Sequence, residues 1–220
     1  MKILSIETSA KRCAVALTED ENLIKEEIIE DENTHSVKLM PLVDKLLKEN
    51  NTSINDIDLF ACDIGPGSFT GIRIGVSTIK AFLDVTNKKA VGVSSLEILA
   101  EGLKENGIIC SLIDAKNQNV YCGIFEKKEN VLKPIEEFKF DNINNIVDFA
   151  KNINKKIIFV GDGSINYKDV IKCKLENVEI LEENKLNARN IGNIAFRKKE
   201  QAVDTNNLKP MYLRKSNAER

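Results

Sequence analysis

At 220 residues the chain can form one medium domain or two small ones, each with its own core. A net charge of −2 excludes bulk attraction to nucleic acid, and one histidine with five scattered cysteines excludes the usual zinc sites and a disulfide framework. No apolar run reaches the roughly eighteen residues of a membrane span. The opening MKILSIETSAKR meets charge too early for a leader, so it reads as the first strand of a cytoplasmic protein.

Lys2 to Ile6, Cys13 to Thr18 and Leu23 to Ile29 read as three strands in quick succession, an antiparallel meander. Thr34 to Asn50 carries Leu39, Leu42, Val43 and Leu46 on a helical stripe, and Pro41 predicts a kink or a late start. Leu59 to Ile64 is a strand. Gly65-Pro66-Gly67-Ser68 then forces a turn, with Gly67 free to take a positive φ, and a helix runs from Thr70 to Val85, capped by Ser68 or Thr70. Ala90 to Val93 is an extended link and Ser95 to Lys104 a further helix.

The second half repeats this order. Strands are expected at Gly107 to Ile113, Asn119 to Glu126, Val131 to Phe140, Lys156 to Val160 and Val178 to Leu181. Helices are expected at Ile143 to Asn152, Ile165 to Cys173 and Ala188 to Gln201. An acid closes the first strand of each half, in Ile6-Glu7-Thr8 and Ile113-Asp114-Ala115. Two β-β-β-α-β-α halves define an α/β fold with two lobes, 1–104 and 105–220, rather than one doubly wound sheet. The apolar plug Pro210-Met211-Tyr212-Leu213 in the polar tail should dock on the body or on a partner.

Gly65 to Gly75 is the most distinctive stretch. A glycine-rich turn feeding a helix exposes backbone N–H groups at the positive end of a dipole, a recipe for holding an anion. It is neither a Walker loop nor a dinucleotide fingerprint, however. Gly71, Gly75 and Thr78 share a small face, Ile72 and Ile79 an apolar one, and close approach of another helix would offset the glycines' cost of about 1 kcal/mol each. A nucleophile pair of Ser68 and His35 lacks the G-x-S-x-G elbow, because Pro66 and Thr70 stand where it needs glycine. Glu7, Thr8 and Ser9, with Asp114 and Gly161-Asp162-Gly163, could line a nucleotide cleft, or simply bond nearby turn amides. Arg197-Lys198-Lys199 reads as a solvated charge run.

Ile6-Glu7-Thr8-Ser9, His35-Ser36 with Pro41, GPGSFTGIRIG from Gly65 to Gly75, Val93 to Glu97, Asp114-Ala115 with Tyr121, Gly161 to Gly163 and Pro210 to Arg214 occur in this order along the chain. In this the chain resembles the TsaB (YeaZ) family, which acts in making threonylcarbamoyladenosine in tRNA. It departs mildly, with Glu7 where the family has aspartate and Lys116 near a usual arginine. The resemblance implies a duplicated actin-like/Hsp70-like ATPase fold (ASKHA, ribonuclease H-like). It implies a non-catalytic subunit that serves a TsaD-type paralogue, with a TsaE-type ATPase joining them and tRNA reached through the complex. Alone, such a chain could pair with itself. The modified base would be adenosine 37 of tRNAs reading ANN codons.

The paralogue's metal-binding His-x-x-x-His pair falls at Ser95 to Leu99 here, where serine and leucine cannot serve as ligands, so the resemblance implies no metal and no required cofactor, with ATP or ADP held in the complex if at all. It places the partner interface on His35, Leu39, Leu42, Val43, Leu46, Phe69, Gly71, Ile72, Gly75, Thr78 and Ile79. The competing expectation is an autonomous enzyme of the same fold, a phosphotransferase or a glycopeptidase-like hydrolase, working through Glu7, Asp114 and Asp162.

Overall fold

The computed structural model describes residues 1–30, 35–129, 131–182 and 185–214. In chain order the first elements are β1 (Lys2–Glu7), β2 (Arg12–Glu19), β3 (Asn22–Glu30), α1 (His35–Glu49), β4 (Leu59–Gly65), α2 (Phe69–Thr86), β5 (Lys89–Ser94) and α3 (Ser95–Glu101). Then come β6 (Gly107–Asp114), β7 (Asn119–Lys128), β8 (Val131–Pro134), β9 (Lys139–Asn142), α4 (Ile143–Ala150), β10 (Ile157–Val160), α5 (Asp162–Asn166), α6 (Lys168–Lys174), β11 (Val178–Ile180) and α7 (Ala188–Arg197).

The contacts divide the chain into two units. The first is Met1–Ile98 with Leu186–Met211, the second Leu99–Lys185 with the chain from Tyr212. This differs from the expected 1–104 and 105–220, because α7 returns to the first unit and packs on β1 and β2.

The first unit's sheet runs β3-β2-β1-β4-β5, with β1 to β3 an antiparallel meander and β4 and β5 parallel to β1. One face carries Leu4, Ile6, Val15 and Leu17 into a core with Leu39, Leu42, Val43 and Leu46 of α1 and Ile72, Val76 and Ile79 of α2. On the other face Ala14 and Ala16 meet Ala188 of α7, small side chains that let the helix lie close. The second unit's sheet runs β11-β10-β6-β7-β8 with the same pattern of directions, so the duplication read from strand order holds. Its core joins Ile108, Cys110 and Leu112 to Ile143, Ile146 and Val147 of α4 and Ile171 of α6.

Local departures have physical causes. The single strand expected over Val131 to Phe140 is two, β8 on one end of β7 and β9 on the other. Pro134 has no N–H to extend the ladder, and Glu136 and Glu137 turn out to water before the chain returns. The expected helix Ile165 to Cys173 is α5 and α6, separated at Tyr167 with φ −112° and ψ 24°. The link at Ala90 to Val93 is a paired strand, and α1 runs through Pro41 as one helix. Positive φ falls at Gly65 and not at Gly67. Thr34, part of the expected first helix, lies outside the described residues.

Candidate functional site

The expected interface residues do not form a surface. His35, Leu39, Leu42, Val43, Leu46, Ile72 and Ile79 are buried in the first unit, and only Phe69 and Thr78 are partly open. A helix in a small domain spends its widest apolar stripe on its own sheet, and α1 and α2 do so. Gly71 and Gly75 are also buried, but against the end of β1 rather than a second helix. A Cβ on Gly71 would stand 1.9 Å from the Thr8 carbonyl oxygen, and the Thr8 hydroxyl donates to the Gly71 carbonyl at 2.7 Å. The faces that α1 and α2 do offer are Val37 and Met40 on the first, and Ser77, Ala81 and Val85 on the second.

Glu7, Thr8 and Ser9 are likewise buried, and a fourth group that sequence reasoning missed, Asp63, joins them. Parallel pairing of β1 with β4 brings Glu7 and Asp63 together at adjacent strand ends. Ser9 bridges them, its Oγ 2.8 Å from Glu7 Oε1 and 2.7 Å from Asp63 Oδ2. The Ser9 backbone N–H donates to Glu7 Oε1 at 2.7 Å. Asp63 also accepts from the Gly65 N–H at 2.6 Å and from the Ser95 hydroxyl, which lies 2.7 and 2.8 Å from its two oxygens.

A serine hydroxyl has one proton to give. Ser9 can therefore donate to one carboxyl only, and the other must donate to it. Asp63, with more donors, takes the Ser9 proton; Glu7 is the acid that keeps its own. Glu7 Oε2 has no partner, which a neutral carboxyl tolerates far better than a carboxylate. Burial first, then the nearby Asp63 charge, pushes the Glu7 carboxyl well above its usual range, and burial raises Asp63 as well. The signal for Asp63 was present in sequence, as an acid inside the apolar run LFACDIG two residues before the glycine turn that begins at Gly65.

In the second unit the structure brings Asp114, Asp162 and Gly161 to Gly163 together. Asp114 accepts from Lys116 N at 2.8 Å, Lys116 Nζ at 3.1 Å, Asn166 Nδ2 at 2.9 Å and the Tyr167 hydroxyl at 3.1 Å. Partial burial works against its charge, but these donors outweigh it and hold the carboxyl below its usual range. Asp162 accepts from the Asp114 N–H at 2.9 Å. Gly161, at φ 93°, passes so close to β6 that a Cβ would meet the Leu112 carbonyl oxygen at 2.2 Å. In this turn Asp114 is bonded by several neighbouring donors and Asp162 by the Asp114 N–H. Among the described residues no group of three or more acids, cysteines and histidines is placed to hold a metal.

Paired sheets of this topology are those of the duplicated actin-like ATPase class. The solved YeaZ of Pseudomonas aeruginosa superposes with a TM-score of 0.84 at 22% identity, covering 96% of this chain and 99% of that one. The ROK hexokinase of Thermus thermophilus superposes at 0.57 with 7% identity, over 91% of this chain and 100% of that one. A family model described as TsaD, tRNA N6-adenosine threonylcarbamoyltransferase, matches residues 23–220. The tRNA threonylcarbamoyladenosine biosynthesis protein TsaB of Bacillus subtilis is 30% identical over 221 residues, spanning 100% of this chain and 96% of that protein. The chain belongs to the TsaB family, a branch of that wider group.

Proposed function

We propose that this chain is a non-catalytic subunit of the apparatus that places threonylcarbamoyl on adenosine 37 of tRNA. It works in the cytoplasm beside a TsaD-type paralogue that carries out the transfer and a TsaE-type ATPase, with tRNA engaged through the complex. The observation that carries this reading is the closed state of its strand-end acids. Glu7 and Asp63 are buried against each other through the Ser9 bridge, Asp63 is filled by Ser95 and Gly65 as well, and the remaining Glu7 Oε2 is sealed inside the unit, away from a phosphate or metal in solution. Ser95 and Leu99, buried where the resemblance puts the paralogue's two histidines, cannot replace imidazoles. Docking falls to the outward faces of α1 and α2, where Val37 is 72%, Met40 49% and Val85 74% exposed. In the absence of the paralogue the same faces would pair two copies.

The test is a double variant, Val37→Asp with Met40→Asp, mixed with the paralogue and the ATPase. Both side chains are exposed, so the melting temperature should stay near wild type while co-elution with the paralogue and tRNA modification are lost. Unchanged assembly and modification would remove the docking face from the proposal. ATP turnover by the purified chain alone would instead favour an autonomous enzyme.

A further inference from the structure

Two glycines of the chain follow a residue with a carbonyl carbon at the γ position, Gly107 after Asn106 and Gly163 after Asp162. In such pairs the glycine nitrogen can close a five-membered ring on that carbon, since glycine carries no Cβ to obstruct it. At Asn106 each residue has a structural reason to be present. Gly107 opens β6 at φ 139°, a conformation that glycine adopts without a Cβ clash. Asn106 is exposed just before the strand, and its Oδ1 accepts the Glu129 N–H at 3.1 Å, which ties the start of β6 to the turn after β7.

The same two features leave the pair reactive. The hydrogen bond from Glu129 draws electron density from the side-chain carbonyl and makes its carbon a better electrophile. No heavy atom lies within 4 Å of where a Cβ on Gly107 would stand, so nothing packs against that side of the backbone to block ring closure. Gly163 is the opposite case. It is buried in α5, where a Cβ would stand 3.0 Å from the Leu112 backbone, and Asp162 is held by the Asp114 N–H at 2.9 Å.

We propose that Asn106 is a site of intramolecular deamidation, a covalent modification that the folded chain carries out on itself with water as the only co-reactant. The Gly107 nitrogen attacks Asn106 Cγ. Its proton passes through water to the side-chain nitrogen, whose bond to Cγ breaks, and ammonia leaves behind a cyclic imide. Water then opens the ring. Addition at Cγ breaks the Cγ bond to the Gly107 nitrogen and gives aspartate. Addition at the Asn106 backbone carbonyl breaks the peptide bond instead and gives isoaspartate, with the chain routed through Cγ. Either product adds a negative charge. Isoaspartate also lengthens the backbone by one methylene directly before β6, the middle strand of the second unit's sheet.

The full chain is incubated at pH 7.5 and pH 9, folded and, in parallel, unfolded in guanidinium chloride. It is then digested and mapped by mass spectrometry, with isoaspartate scored by enzymatic methyl transfer from S-adenosylmethionine. In the folded chain the peptide spanning Asn106 should exchange NH2 for OH and accept methyl groups, several-fold faster at the higher pH because the deprotonated nitrogen is the nucleophile. Its rate should lie within about tenfold of the unfolded chain's, whereas the Asp162 peptide should accept methyl groups only when unfolded. Asn106→Gln, whose longer side chain requires a six-membered ring, should slow the reaction by at least about tenfold with the fold intact. An Asn106 that stays intact in the folded chain while the unfolded chain converts would overturn the site. So would conversion of other asparagines of the folded chain ahead of it.

Discussion

Glu7 and Asp63 together carry one proton because Ser9, between them, has only one of its own to offer. This makes stability depend on pH in a defined direction. Glu7 titrates near 4.5 when unfolded and is raised to about 8 in the folded chain, so between those values the folded state binds more protons. Stability is then fully present at low pH and falls as pH rises through that window, by up to about 1.4 kcal/mol per pH unit. Glu7→Gln keeps the shape and provides a permanent donor to Ser9. Urea melts from pH 6 to 9 should show a falling stability in the wild type and a nearly flat one in the variant; equal slopes would refute the shared proton. Gly71 makes a different demand at the same place, space rather than charge. Gly71→Ala drives a methyl into the Thr8 carbonyl and should cost about 3 kcal/mol, the upper end for overpacking, read as a shift in denaturation midpoint.

Elements were largely legible because hydrophobic period and turn residues act locally. The meander β1 to β3, the strand β4 with its glycine turn and the Ser68 cap on α2 all follow from the sequence pattern. What an element packs against was not legible. The stripe Leu39, Leu42, Val43, Leu46 reads the same whether it faces a sheet of its own chain or another protein, and the small face at Gly71 and Gly75 reads the same for a helix or a strand end. Asp63 escaped because its partners Ser9 and Ser95 are distant in sequence and meet it only once the strands pair.

The tail shows the same limit. Its apolar plug was placed at Pro210 to Leu213, yet the deepest anchor is Leu208, 2% exposed in the first unit's core. Val203 bridges Ala90 at the edge of β5, and the Met211 N–H donates to the Ile64 carbonyl at 2.7 Å, so the segment straps that edge. Leu208→Ala should therefore cost about 3 kcal/mol, whereas Tyr212→Ala, at a position 44% exposed, should stay within about 0.5 kcal/mol. Parallel thermal melts of the two variants decide it.

At the scale of the molecule, chain order and unit membership part company. The strand pattern places a boundary near residue 104, but the first unit is completed by residues beyond 185. Helix α7 buries Ala188, Ile191, Ile194 and Ala195, and Gly192 fits against Thr18 and Ser5 of the first sheet. Asn187 caps it by accepting from the Asn190 N–H at 2.9 Å, and the Asn190 side chain donates to the Ile98 carbonyl at 3.1 Å. Arg197 pairs with Glu21 at 2.7 Å, so part of the basic run Arg197-Lys198-Lys199 is an ion-paired seam rather than a free charged face. Without α7, the face of β1 and β2 bearing Ala14 and Ala16 would lie open to water. A fragment of residues 1–104 should consequently show strand and helix signals in far-ultraviolet dichroism, bind a hydrophobic dye and melt without cooperativity. Co-expression with residues 186–214 should restore a single sharp transition and abolish dye binding. If residues 1–104 melted cooperatively by themselves, α7 would be an accessory to the first unit rather than its second layer.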